Sequence, residues 1–403
     1  MCSRCGSDIP AGQSKCSCGG EPARWVFAPE TTLILSFVLL LTLFVATGFA
    51  SRSYHKEESV LAHRWFERGQ AAMRDGQSAV AIEAFRTALV YARGIEFTAD
   101  YDLALARALA QAGHLEESRS YLLGLEQAAP GSGTVNLELA RLSARLKNYS
   151  DAMRYYNSAI YGVWETDPLE QRRNVRIEFS EFLLDIGQTA EAQAQLVALV
   201  AALPPDPTLH VEAGNLFLRA SRSALALKEF QTALDENRQA PGAARGAGAA
   251  AFQLGDYAAA SRYFSRAGRE SPLGPLWQQD LDVSNLILSL NPFAPNLSPS
   301  EAAHRAAHDY ELASDRLATC VRNKYPSQKP QALPANLQRL MDDAREQSSR
   351  AKETRLTRHP EDIAPLMETV FRFQDAATSL CGPLSNTDLA LQLIARAHAG
   401  AQQ

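Results

Sequence analysis

Hydrophobic and polar positions divide the chain into distinct stretches. From Thr31 to Ala50, twenty consecutive residues carry no charge and are dense in Leu, Val, Ile and Phe. A helix of that length, at ~1.5 Å per residue, matches the ~30 Å hydrocarbon core of a bilayer and predicts one transmembrane helix over 31–51. A cleaved signal peptide is the alternative, offered by the small residues of Gly48-Phe49-Ala50. Against it, the run is longer than a usual signal core and begins about 30 residues into the chain. From 62 to 272 the pattern changes to apolar residues at helical spacing, broken at intervals by Gly and Pro, which predicts many short helices. Beyond 273, Leu276, Trp277, Leu281, Leu286, Ile287 and Leu290 mark a helix that covers the end of the preceding region. A proline-broken linker, Asn291 to Pro299, leads to helices at about 300–324, 334–357, 360–380 and 386–399. Ser298-Pro299-Ser300-Glu301 has helix-start chemistry, and an antiparallel bundle is the natural reading.

Within 62–272 a small residue recurs at one phase: Ala81, Ser118, Ala152, Ala192, Ala226 and Ala260. Their separations are 37, 34, 40, 34 and 34 residues, with extra residues near Gly94 to Thr98 and Trp164 to Pro168. Around the first of them, Trp65, Gly69, Ala72, Gly76, Phe85 and Ala88 form a large–small packing pattern. It returns as Gly113, Leu122 and Leu125, as Tyr149, Tyr156 and Ala159, and as Gly187, Leu196 and Leu199. Phe230 and Ala233 carry it next, followed by Gly255, Tyr257, Phe264 and Ala267. Small residues let two helices of a unit approach closely, while the aromatics fill the gap to the next unit. This skeleton, at a period near 34, resembles the tetratricopeptide repeat (TPR) family over about half the chain. The resemblance implies a six-repeat α-solenoid in which each unit buries its apolar face against its neighbours.

It also implies a concave groove lined by the first helix of each repeat. Carried over by phase, the groove positions are Arg74, Arg107, Arg141, Arg145, Asn215, Arg219 and Arg245, with Phe66, Leu103, Leu137, Val211, Leu218 and Phe252 between them. Guanidinium groups in a partly desolvated groove suit carboxylates and extended acidic peptides. The alternative is a solvated helix face whose arginines pair with Glu138 or Asp185. Asn215 stands where the carboxylate-clamp subset of TPRs has an asparagine, but that subset's lysine is missing.

Charge and cysteine usage refine this picture. A formal net charge of −5 gives no electrostatic case for nucleic acid as a partner. Four of the six cysteines, Cys2, Cys5, Cys16 and Cys18, crowd into the first twenty residues; Cys320 and Cys381 stand far away. Cys2-Ser-Arg-Cys5-Gly6 and Cys16-Ser-Cys18-Gly19 suit a tetrahedral all-thiolate structural zinc site, whose metal would supply the folding energy of so short a segment. The spacing resembles the zinc-ribbon heads of many bacterial membrane proteins, except that the second knuckle reads C-x-C instead of C-x2-C. A degenerate remnant or a disulfide pair are the alternatives. In the bundle, Cys320 and Cys381 fall at the same end, a geometry compatible with a disulfide in an oxidising compartment or with two buried thiols otherwise.

Orientation across a membrane divides these clues. Lys and Arg number three in residues 1–30 and four in 51–70, a slight lean towards a cytoplasmic body. The thiols favour a zinc head in the reducing cytosol and a body outside, and carry more weight. His304 and His308 sit one helical turn apart, but the glutamate of H-E-x-x-H and a clear third ligand are missing. Gly246-Ala-Gly248 lies inside a repeat helix with no preceding strand, so close packing explains it better than a dinucleotide loop. No nucleophile–His–acid grouping is apparent, which argues against an enzyme.

The expected molecule is all-α: a zinc-ribbon-like head (1–20), a transmembrane helix (31–51), a TPR solenoid (62–272) and a capping helix with a helical bundle (273–403). It would be a single-pass protein of the bacterial inner membrane, N-terminus cytoplasmic and body periplasmic, acting as a scaffold for proteins or peptides. The same scaffold with a cytoplasmic body, and an envelope metal-dependent sensor or enzyme using His304 and His308 or the cysteines, are the rivals.

Overall fold

A computed structural model describes residues 1–23, 29–92, 98–326, 333–382 and 385–401. Arg24, most of the Gly94–Thr98 insertion and Pro383 fall outside them. Two units make up the chain, Met1–Val163 and Trp164–Gln403.

In the first unit, α1 (Pro29–Arg74) pairs with α2 (Ser78–Tyr91), α3 (Ala99–Ala112) with α4 (Leu115–Ala128), and α5 (Gly133–Arg145) with α6 (Tyr149–Tyr161). The second unit opens with the pairs α7 (Pro168–Asp185) and α8 (Thr189–Val200), α9 (Pro207–Arg219) and α10 (Ser223–Glu236), α11 (Ala243–Gln253) and α12 (Tyr257–Glu270). All six phased small residues, from Ala81 to Ala260, are completely buried. Ser118 alone among them is polar, and its hydroxyl donates to the Ala106 carbonyl at 2.8 Å, so its burial leaves no unmet donor.

The turn inside each pair is equally periodic. Gly76, Gly113, Lys147, Gly187, Ser221 and Gly255 all have φ between +56° and +89°, and their spacings repeat the 37, 34, 40, 34, 34 series. Only glycine adopts this conformation without steric cost; Lys147 and Ser221 each carry about 1–2 kcal/mol of strain.

Glycines on the first helices serve close approach. A Cβ on Gly69 would stand 2.4 Å from the Phe85 ring; one on Gly246 would stand 2.3 Å from Phe230; one on Gly248 would stand 2.7 Å from Phe264. These rings are fully buried and have nowhere to go. Gly246→Ala is expected to lower stability by about 1–3 kcal/mol through overpacking, measurable as a shifted urea midpoint.

The apolar run requires a correction. Among the described residues no helix is long and apolar enough to cross a membrane. Thr31 to Ala50 is the first part of the 46-residue α1, which continues without a break into the polar first helix of the first pair. The transmembrane helix at 31–51, the inner-membrane location, the cytoplasmic N-terminus and the periplasmic body all fall with that finding.

After α12, α13 (Pro275–Leu290) plays two parts. Trp277 and Leu281 close the last pair, with Trp277 centred 6.1 Å from the Phe264 ring. Val283, Ile287 and Leu290 belong to the core of the C-terminal bundle. That bundle is built on α14 (Pro299–Lys324) and α17 (Ile363–Cys381), which pack along their lengths, with α15 (Ala335–Gln347), α16 (Glu353–Arg358) and α18 (Asn386–Ala401) around them. The single helix expected over 334–357 is broken between α15 and α16. There Ser348 and Ser349 donate back to the carbonyls of Arg345 and Glu346, at 2.7 and 3.3 Å, offering the backbone an alternative to the helix. Cys320 and Cys381 end α14 and α17 on the same side; their Cα atoms lie 5.7 Å apart and their sulfurs are bonded.

Candidate functional site

In the first unit, α1 and α3 lie side by side and leave a cavity of about 590 Å³. Phe66, Met73 and Leu103 give it apolar walls, and Arg74, Arg107 and Asp100 give it charge. Phe66 is held by aromatic neighbours on two other helices, 5.6 Å from Phe85 and 4.6 Å from Tyr101 between centroids. A rigid ring with guanidinium groups beside it can take an apolar side chain and a carboxylate from one extended segment.

The remaining arginines are partly engaged. Glu138, on α5, receives Arg107 Nε at 2.9 Å and Arg141 Nη1 at 3.3 Å, leaving one net positive charge among the three. Arg145 donates to the Ala110 carbonyl at 2.6 Å and so ties α5 to α3. In the second unit Arg219 reaches Asp185 at 2.7 Å, Asn215 is exposed, and Arg245 borders its own cavity of about 590 Å³ beside Gly242 and Leu273. Exposed pairs of this kind contribute about 0–1 kcal/mol and exchange readily with a ligand carboxylate. Leu137, expected in the groove, is instead buried. Asp100 and Met73 line the first cavity without having been singled out from the sequence, since their phase on a helix does not show which neighbour they face.

At the N-terminus the four cysteines converge. Their sulfurs all lie within 4.8 Å of one another, with Cys2–Cys18 at 3.4 Å, Cys5–Cys16 at 3.6 Å and Cys5–Cys18 at 3.2 Å. A tetrahedral Zn–S shell with ~2.3 Å bonds has sulfurs about 3.8 Å apart, so the set fits that ion. Two backbone knuckles hold it: Gly6 N–H donates to the Cys2 carbonyl at 3.1 Å, and Gly19 N–H to the Cys16 carbonyl at 2.8 Å. Cys16 and Cys18 both reach the cluster despite the shortened C-x-C spacing. Gly20 is required for closure, because a Cβ there would stand 2.5 Å from the Cys2 sulfur. Hydrogen bonds from Ser7 pull the Cys5 thiol down to about 6, while donation to Cys5 pushes Cys18 up to about 12. The cluster therefore holds at least one thiolate at neutral pH, the ionised form that binds metal.

The histidine pair does not converge in this way. His304 and His308 present parallel rings 6.5 Å apart, and His304 Nδ1 turns to Glu353 at 3.1 Å.

A family model described as tetratricopeptide repeat matches residues 66–133, 103–168, 183–241 and 211–275. Solved structures with similar folds include PilF of Pseudomonas aeruginosa, 16% identical, with 57% of this chain and 93% of that one covered at a TM-score of 0.35. Another is PilW, a type IV pilus biogenesis factor, 17% identical, with 55% and 98% covered at 0.40. A third is the C-terminal part of a repeat protein from Cytophaga hutchinsonii, 14% identical, with 60% and 92% covered at 0.43. No curated protein matches the sequence.

Proposed function

Because this chain belongs to the tetratricopeptide repeat family, we propose that it is a scaffold that binds extended peptide segments of other proteins. The cavity between α1 and α3 carries this reading: an aromatic and aliphatic wall with Arg74 and Arg107 beside it. Its ligand is an extended peptide placing an apolar or aromatic side chain against Phe66 and an acidic one within reach of the arginines. Arg141 shares Glu138 with Arg107, so a ligand carboxylate that draws Arg107 away leaves Glu138 still paired. Within the second unit, Arg219 and Arg245 offer the same kind of guanidinium chemistry, with Asn215 adding an exposed amide; in the first unit Arg145 is held by the Ala110 carbonyl. Metal chemistry at His304 and His308 draws no support from their geometry, so scaffold binding is preferred to an enzyme.

We assign zinc to Cys2, Cys5, Cys16 and Cys18, in a structural role. Four thiolates fill a tetrahedral shell and leave no open position for a substrate.

The groove is tested by screening the full chain against an array of acidic peptides containing Phe, Tyr or Leu. Arg74→Glu and Arg107→Glu are expected to weaken the best ligands about 10–100-fold, the worth of one or two charge-assisted hydrogen bonds. Unchanged affinity in both variants would remove the groove assignment.

A further inference from the structure

The C-terminal bundle has a cavity of its own, about 390 Å³, between α14, α17 and α18. Gln374 lines it from α17 at only 1% exposure, yet neither its amide nitrogen nor its amide oxygen has a hydrogen-bond partner. Arg316 lines it from α14; its Nη2 lies 2.6 Å from Asp388, and its buried Nε–H is unmatched. Asp388, 2% exposed, is fixed in place by the Ser385 N–H, which donates to its Oδ2 at 2.9 Å. Asp315 stands at the exposed mouth. The Cys320–Cys381 bond forms part of the wall and joins the two helices that carry Arg316 and Gln374.

Buried polar groups without partners are rare in folded proteins, and two side chains that line one cavity and carry such groups mark a place where another molecule could complete them. Unused donors on Arg316 and Gln374 call for a carboxylate or carbonyl. The Gln374 oxygen and the Asp315 carboxylate call for an ammonium. Arg316 and Asp388 cancel, so Asp315 leaves the walls net negative and a plain anion is disfavoured. A plain cation would leave the Arg316 and Gln374 donors unmet.

We propose that this cavity binds a free α-amino acid, its carboxylate facing Arg316 Nε and Gln374 Nε2 and its ammonium facing Asp315 and Gln374 Oε1. The volume lies within the range of small-molecule sites.

The test is a melting-temperature shift of the full chain with each of the proteinogenic L-amino acids at millimolar concentration, followed by calorimetry on those that act. At least one is expected to raise the melting temperature, with one molecule bound per chain. Acetate and methylamine, which each carry half of the zwitterion, are expected to do nothing. Gln374→Met, of similar length but without the amide, is expected to abolish the shift while melting no lower than the parent. Asp315→Asn, at the exposed mouth, leaves the fold untouched and should weaken binding about 10-fold. The proposal is overturned if no amino acid shifts the melting temperature, if acetate or methylamine acts equally well, or if binding survives either substitution unchanged. Gln374→Met melting well below the parent would overturn it too, since that amide would then be satisfied within the bundle.

Discussion

Removing zinc is expected to unfold residues 1–22 and leave the helices intact. Around the cysteines the head has little to fold on: Cys2 and Cys16 are its buried apolar residues, and the Cys2–Pro22 bridge is isolated. Structural zinc supplies apparent binding energies of about 10–16 kcal/mol in zinc-finger peptides, so a zinc held by these cysteines would dominate every other contribution there. Elemental analysis of the purified chain should give one zinc. Chelation should expose Arg4 and Lys15 to trypsin while the helical circular dichroism stays constant. Cys18→Ser addresses the C-x-C knuckle directly and should lose the metal, as should Cys2→Ser. Full zinc occupancy in Cys18→Ser would mean that three thiolates suffice, and undiminished trypsin resistance after chelation would remove the structural role. Stoichiometric metal in residues 52–403 would point instead to metal chemistry in the body.

The repeats were legible in the sequence because their determinants are local and periodic. Buried small residues at one phase require close helix approach, and the same spacing reappears in the left-handed turns. Two of those turns were hidden because Lys147 and Ser221 stand where glycine is the chemical signal. The convergence of the four cysteines was legible for a similar reason, since their spacing on two short knuckles already places the sulfurs together. Thr31 to Ala50 misled because composition measures apolarity within a window and is blind to where a helix goes next. Here the helix passes unbroken into the first repeat. The side-chain groupings of the bundle were invisible: Arg316, Gln374 and Asp388 are far apart in sequence and meet only through packing. Nor did the sequence show that His210 would be buried with Glu229 at 2.7 Å and Glu236 at 3.5 Å on its two ring nitrogens. The groove lies between these extremes. Repeat phase placed Phe66, Arg74, Leu103 and Arg107 around one cavity, yet the sharing of Glu138 by Arg107 and Arg141 depends on the angle between neighbouring pairs.

Replacing Asp309 with asparagine is expected to stabilise the bundle at neutral pH and to flatten its dependence on pH. Asp309 lies on α14 beside Ala306, Tyr310 and Ala313 in the bundle core; it is completely buried, and neither carboxylate oxygen has a partner. Burial raises its carboxyl to about 8, against a small opposing pull from the Arg305 charge. Arg305 is otherwise engaged, with Glu301 at 2.7 Å and the Leu288 and Asn291 carbonyls at 2.8 and 3.2 Å. The folded chain thus keeps a proton on Asp309 up to pH about 8, whereas the unfolded chain releases it near the ordinary value of 3.8. Between those limits the folded state holds the extra proton, so stability falls as pH rises, by at most ~1.4 kcal/mol per unit, and levels off above about 8. Over the whole window the loss is several kcal/mol, a large share of what a domain of this size possesses. Asparagine has the same shape and no charge to desolvate, so the variant should match the parent near pH 4 and surpass it progressively towards pH 8. Half-buried Asp280, raised to about 6 by desolvation, titrates in the lower half of the window and should leave Asp309→Asn a residual slope there. Urea denaturation of both proteins from pH 4.5 to 8.5 measures the difference. Parallel curves across that range would show that Asp309 ionises in the folded bundle as it does in the unfolded chain.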